Sequence, residues 1–395
     1  MTGASPTTHL QDRLAHTNDW LMRQGRPTRD NSTLLQAFCE HLRDQGVKLD
    51  RCWLHIRALR PNFAGLSRLW QRGEAIRDRP LEYGFESTAA YLQSPVRFAA
   101  QNKGFHHWRL GLPGQPEFPV FEELRAEGYA SYAITPLVFS DGAVNVISWA
   151  TREPGGFAPD DLALLEGLLP SLSAVVEINS LRRFTSNLLT TYVGREPGEL
   201  ILSGQVRRGD VRTTTAALML ADLRGFSELS DRHSPDLVIE TLNRYFDCLM
   251  PPVRRRGGEV MEIMGDAMLV IFNENGERDS REACRLAFEA AKEGLAALEQ
   301  SNEARSGPDR IVLQAGIALH HGQASYGNIG AEDRLDFTVI GPDVNLTSRI
   351  ERICREIGRN LIMSANFAAL LDEPCFEIGH FDLRGFARKQ LLFGL

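Results

Sequence analysis

The chain has 395 residues with 44 Lys and Arg against 51 Asp and Glu, a net charge of −7, so it has room for two or three domains and an acidic balance that argues against a general nucleic-acid binder. Hydrophobic residues make up 43% and charged residues 24%, which excludes wholesale disorder and a miniature fold dependent on staples. Its 6 cysteines contain no CxxC pair and no run of about 20 apolar residues occurs, so a zinc ribbon, a redox motif and a membrane-spanning helix are excluded and a cytoplasmic protein is expected.

Residues 1–30 are polar and pattern-poor, with a short helix fitting 10–21, and read as a loosely docked lead-in. Residues 31–178 read as one mixed α/β domain. Leu34, Leu35, Phe38 and Leu42 recur at helical spacing. Cys52, Leu54, Ile56 and Ala58 alternate with Arg51, Trp53, His55 and Arg57, the pattern of a half-buried strand. Residues 129–139 and 143–150 are strand-like and are joined by the hairpin signal Ser140-Asp141-Gly142. Pro159-Asp160-Asp161 opens a helix, which Pro170 interrupts. Trp53, His55 and Trp70 read as packing aromatics, and His106-His107 as a surface pair without a third ligand at metal spacing. In the order of these elements, and above all from the hairpin to the exit helix, the stretch resembles a GAF domain. That resemblance implies either a small-molecule ligand or a dimerisation role. Residues 179–212 form a connector in which a helical pattern is broken by Gly194-Arg195-Glu196-Pro197-Gly198; it reads equally as a transducer and as a plain linker.

Residues 213–395 carry the chemistry. A strand over 216–221 ends at Asp222, and Ser234-Pro235-Asp236 opens a helix. Residues 258–264 and 267–272 make a strand pair around Gly265-Asp266. A helix over 281–298, strands over 311–320 and 337–340 and a helix over 344–357 follow. The order β-α-β-β-α-β is ferredoxin-like, and the fold class is α+β. In that order the first strand and the central hairpin are neighbours, so Asp222 and Asp266 converge at one end of the sheet. Paired carboxylates with free backbone around them suit Mg2+, which takes few protein ligands and binds substrate phosphates for the rest. Gly225 lets backbone N–H groups approach a phosphate. Asn345 and Arg349 are four apart on one helix face, where an amide and a guanidinium suit a ribose oxygen and spread phosphoryl charge. The plain alternative is a solvated face with Arg349 paired to Glu351 or Glu356.

Four motifs in this order carry a resemblance to the catalytic domain of the class III adenylate/guanylate cyclases, bacterial members most of all. They are Ala221-Asp222-Leu223-Arg224-Gly225-Phe226-Ser227, Met264-Gly265-Asp266-Ala267-Met268, His320-His321-Gly322 with Tyr326-Gly327-Asn328-Ile329-Gly330, and Gly341-Pro342-Asp343-Val344-Asn345-Leu346-Thr347-Ser348-Arg349. The resemblance implies that Asp222 and Asp266, with the backbone at Leu223, hold two Mg2+ or Mn2+ ions per site. It implies that Gly225, Phe226 and Arg384 bind the triphosphate, that Asn345 orients the ribose and that Arg349 stabilises the transition state. The implied reaction is attack of the ribose 3′-hydroxyl on the α-phosphorus with release of pyrophosphate, in a homodimer whose sites combine residues of both subunits.

Glu262 and Thr338 stand at the two positions that choose the base in this family. A carboxylate accepts the N1–H and N2–H2 donors of guanine in a bidentate way, but leaves the adenine N1 acceptor unpaired, at a cost of roughly ten- to a hundredfold in preference. Glu262 therefore favours GTP, while Thr338 serves either base. ATP as substrate, and an inactive cyclase-homology module that only signals, are the alternatives.

Overall fold

A computed structural model describes residues 6–60, 63–205, 207–305, 311–331 and 335–395. The chain divides into two compact units, Met1–Thr185 and Ser186–Leu395.

The first unit is built on six antiparallel strands: β1 (Arg51–Arg60), β2 (Phe63–Gln71), β3 (Arg77–Leu81), β4 (His106–Arg109), β5 (Ser131–Val138) and β6 (Val144–Thr151), in spatial order β3-β2-β1-β6-β5-β4. The alternation in β1 does what period 2 requires. Cys52, Leu54 and Ile56 join Trp70, Ile147 and Trp149 in the main core under Leu34, Phe38 and Leu42 of the Asn31–Asp44 helix. That helix is capped by the Asp30 carboxylate, which accepts from the Ser32 and Thr33 amides. Trp53 and His55 lie on the other face, stacked 5.0 Å apart. Trp70 is buried in the main core, away from that pair. The exit helix is interrupted at Leu168, giving Pro159–Gly167 and Leu169–Tyr192.

The short helix expected over 10–21 spans Pro6–Trp20, with a π-turn at Leu21–Gly25, and it is docked rather than loose. Leu21 is fully buried, Leu10 and Leu14 pack on the main core, and Arg13 pairs with Asp161 at 2.8 Å. Gly167 permits this approach, because a Cβ there would lie 2.7 Å from Leu14. The three leucines are too sparse among polar residues to announce a buried stripe in the sequence.

The second unit holds an eight-stranded sheet: β7 (Val211–Leu223), β8 (Glu259–Met264), β9 (Ala267–Asn273), β10 (Ala315–Gly330), β11 (Leu335–Ile340), β12 (Leu361–Ser364), β13 (Phe376–Phe381) and β14 (Gln390–Gly394). The spatial order is β13-β14-β12-β10-β7-β9-β8, with β11 on β10. Strand β7, the Pro235–Arg255 helix, β8, β9, the Ser280–Glu303 helix and β10 follow one another as β-α-β-β-α-β. Strand β10 extends well past the expected end at residue 320, because it pairs antiparallel with β7 from Ala315↔Leu223 to Gly327↔Val211. One face of the sheet buries Met219, Ala221, Val270, Phe272 and Ile317 against Tyr245, Leu249 and Phe288 of the two helices. The opposite face buries Leu218, Leu220, Met261, Leu269 and Tyr326. The Pro342–Glu356 helix docks Leu346, Ile350 and Cys354 on Ala318, Ile362 and Leu392. The six cysteines are free, and among the described residues no helix is long and apolar enough to cross a membrane.

Candidate active site

Asp222 is the penultimate residue of β7 and faces Ala267 of β9 and Gly316 of β10. Asp266 occupies the tight turn Gly265-Asp266 that closes the β8–β9 hairpin, between the paired Met264 and Ala267. The turn demands φ = 66° at Gly265, a conformation that glycine adopts without steric cost. The register Asp222↔Ala267 then sets Asp266 beside Asp222. Burial, reinforced by the Asp222 charge, pushes the Asp266 carboxyl up to about 6. Two crowded carboxylates of this kind call for a cation. Among the described residues no group of three His, Cys, Asp or Glu side chains is arranged to hold a metal. A pair of hard oxygen donors fits Mg2+ or Mn2+, which keep further positions for water and substrate oxygens.

Three side chains that the sequence did not assign to this site surround the pair. Arg355, in the last turn of the Pro342–Glu356 helix, pairs with the Asp222 carboxylate. Glu351 lies one turn earlier, 3.8 Å from Arg355, and burial with the Asp222 charge pushes it up to about 7. The Tyr245 hydroxyl is buried with no hydrogen-bond partner among the described residues; burial raises its pKa, and Asp222, Asp266 and Glu351 add to the effect. The i,i+4 spacing of Glu351 and Arg355 is visible in the sequence, but the reach from Arg355 to Asp222 depends on how the helix docks. Leu223 is buried, Phe226 packs against the core, and Gly225 has φ = 73° and starts the Phe226–Arg232 helix.

Asn345 is exposed and Arg349 half-buried on the Pro342–Glu356 helix; the Arg349 Nε is buried with no partner among the described residues. The alternative pairing of Arg349 with Glu351 or Glu356 is not found there: Glu356 pairs with Arg352 at 3.1 Å and Glu351 faces Arg355. The start of this helix is anchored by Asp343. Its carboxylate accepts from the Gln323 amide at 2.7 Å and lies 3.3 Å from Nε2 of buried His320, whose Nδ1 meets Ser364 Oγ at 2.7 Å. His321, by contrast, meets Glu274 at 2.8 Å. Glu262 follows a bulge in β8, and Thr338 of β11 donates to its Oε2 at 3.2 Å. Arg384 is exposed in a turn before β14. The structure thus joins Asp222 with Asp266, and Glu262 with Thr338. Among the described residues, no hydrogen bond or ion pair links Asn345, Arg349, Arg384 or the Glu262–Thr338 pair to the two aspartates.

Residues 210–391 match the family model described as the adenylate and guanylate cyclase catalytic domain. An adenylate cyclase of Anabaena cylindrica is 27% identical over 230 residues, which is 54% of this chain and 43% of the relative. Adenylate cyclase 1 of Rhizobium meliloti is 29% identical over 153 residues, 38% of this chain and 22% of the relative. The chain thus spans less than half the length of these curated relatives. Among solved structures, a bacterial light-regulated adenylyl cyclase matches with a TM-score of 0.49 and 19% identity, over 58% of this chain and 64% of that one. An adenylyl cyclase from P. aeruginosa matches with a TM-score of 0.40 and 22% identity, over 47% and 94%. With the family match spanning the strand ends, the hairpin and the docked helix just described, residues 210–391 form a class III adenylate/guanylate cyclase catalytic domain.

Proposed function

We propose that the chain converts GTP to cyclic GMP and pyrophosphate, in a homodimer with two composite sites. The observation that carries the reading is the juxtaposition of Asp222 and Asp266 at adjoining strand ends. With the Leu223 backbone, they would hold the divalent ions. Such ions lower the pKa of the attacking ribose hydroxyl and offset the charge of the departing pyrophosphate. Asn345 would orient the ribose, Arg349 would face the α-phosphoryl charge, and Arg384, Gly225 and Phe226 would receive the outer phosphates. Both Asn345 and Arg349 lack hydrogen-bond or ion-pair partners among the described side chains, and no such bond reaches from them to the aspartates of their own chain. Sites completed by a second subunit account for this. Ile263 and Met264, beside Asp266, are 50% and 45% exposed, which suits a face that a partner covers.

The choice of GTP rests on Glu262. Thr338 donates to one of its oxygens, and a carboxylate steadied in this way would accept from guanine N1–H and N2–H2. The same bond supports ATP as the second reading. A threonine hydroxyl that donates to Glu262 keeps its lone pairs for the adenine amino group, and the relatives cited above are named adenylate cyclases. The first unit we read as a GAF-like sensor module. Its six strands and flanking helices support that reading, with a small ligand or dimerisation as its role.

The test is to supply the purified chain with GTP or ATP and Mg2+ or Mn2+, and to quantify both cyclic products. Cyclic GMP in excess supports the proposal, and Asp222→Ala should abolish it, by at least about 100-fold. Cyclic AMP alone would overturn the Glu262 argument. No product from either nucleotide would overturn the enzyme reading.

A further inference from the structure

We propose that Arg355 is a positioning residue that stands in for the cation at Asp222 while the site holds no metal, and that it must leave the carboxylate before an ion is accepted. The inference rests on the reading that Asp222 and Asp266 hold divalent ions. Asp222 is only 10% exposed at the side chain, and the groups facing it are Asp266 on the hairpin turn, Glu351 on the same helix as Arg355, and the unpartnered Tyr245 hydroxyl of the Pro235–Arg255 helix. A nearly buried carboxylate among like charges needs a counter-charge. Arg355 supplies it from outside: its own side chain is 62% exposed, and its only other ion-pair partner among the described residues is Glu351 at 3.8 Å.

That asymmetry makes the pair displaceable. A guanidinium on a long, solvated stem loses little by swinging back into water, provided that another cation takes its place at the carboxylate. A divalent ion brings twice the charge to the same oxygens. Arg355 would therefore satisfy Asp222 in the resting chain and yield to the ion, so that the resting site is kept from collapsing without being blocked. The opposite role, a permanent buttress that holds Asp222 in the loaded state, predicts the reverse effect on metal affinity.

The experiment is a Mn2+ titration of the full chain without nucleotide, read by the electron paramagnetic resonance signal of free Mn2+. Arg355→Gln is expected to bind Mn2+ about two- to fivefold more tightly than the natural chain, the range an exposed ion pair allows. Arg355→Lys, which keeps the charge, should stay close to the natural affinity. Binding by Arg355→Gln that is equal, weaker or undetectable overturns the proposal. Asp222→Asn separates the two levels: it should lose Mn2+ binding, and if it binds as the natural chain does, the metal reading itself fails whatever Arg355 does.

Discussion

On the proposed reading, Glu262 is the residue on which substrate choice turns. Its carboxylate suits guanine, so Glu262→Lys should lower cyclic GMP formation and raise the share of cyclic AMP by roughly ten- to a hundredfold in product ratio. Product analysis checks this, and an unchanged ratio would mean that Glu262 does not read the base. Gly322 makes a different kind of contribution. A Cβ there would lie 2.3 Å from Asp343 Oδ2, so Gly322→Ala must push Asp343 off the Gln323 amide. The expected cost is about 1–3 kcal/mol, read from a denaturant midpoint; a change below about 0.3 kcal/mol would show that Asp343 is not an anchor. Residues whose signal is local were legible in the sequence. Asp266 announces itself by the Gly265 turn, and Asp222 by the strand that ends there. Arg355, Glu351 and Tyr245 were not, because they reach the aspartates from two helices far away in the chain, and only docking brings them there.

At the scale of elements, the two long helices meet at a close contact. Gly294 lies where a Cβ would come within 2.7 Å of Leu249 Cδ2. Gly294→Val should therefore destabilise the second unit by about 1–3 kcal/mol, and Leu249→Ala alone by about 2–5 kcal/mol. The double variant should cost less than the sum, because the truncated leucine leaves room for the valine. Strict additivity in chemical denaturation would show that the two residues do not share one space. Element types in this unit were readable from hydrophobic periodicity and from helix-opening signals such as Pro235 at the first position of its helix. The length of β10 was not, since its second half, His321 to Gly330, is held by pairing with β7 and β11 rather than by its own pattern. The docking of the Pro6–Trp20 helix escaped for a related reason: its apolar contacts are few, and their value comes from the core that receives them.

At the scale of the molecule, the chain consists of two compact units, and the second carries the cyclase catalytic domain. On the proposed reading, the acidic net charge says little about its partners, because the answer to a polyanionic substrate would be local: ions on Asp222 and Asp266, facing Arg349 and Arg384. The central claim is that these groups meet across two subunits. Mixing Asp222→Ala with Arg349→Ala chains tests it most directly. Each variant alone should be nearly inactive. Random exchange makes half of the dimers mixed, each with one intact site, so the mixture should regain about one quarter of the natural cyclase activity. A mixture that stays as inactive as either variant, although its subunits exchange, would contradict the composite site.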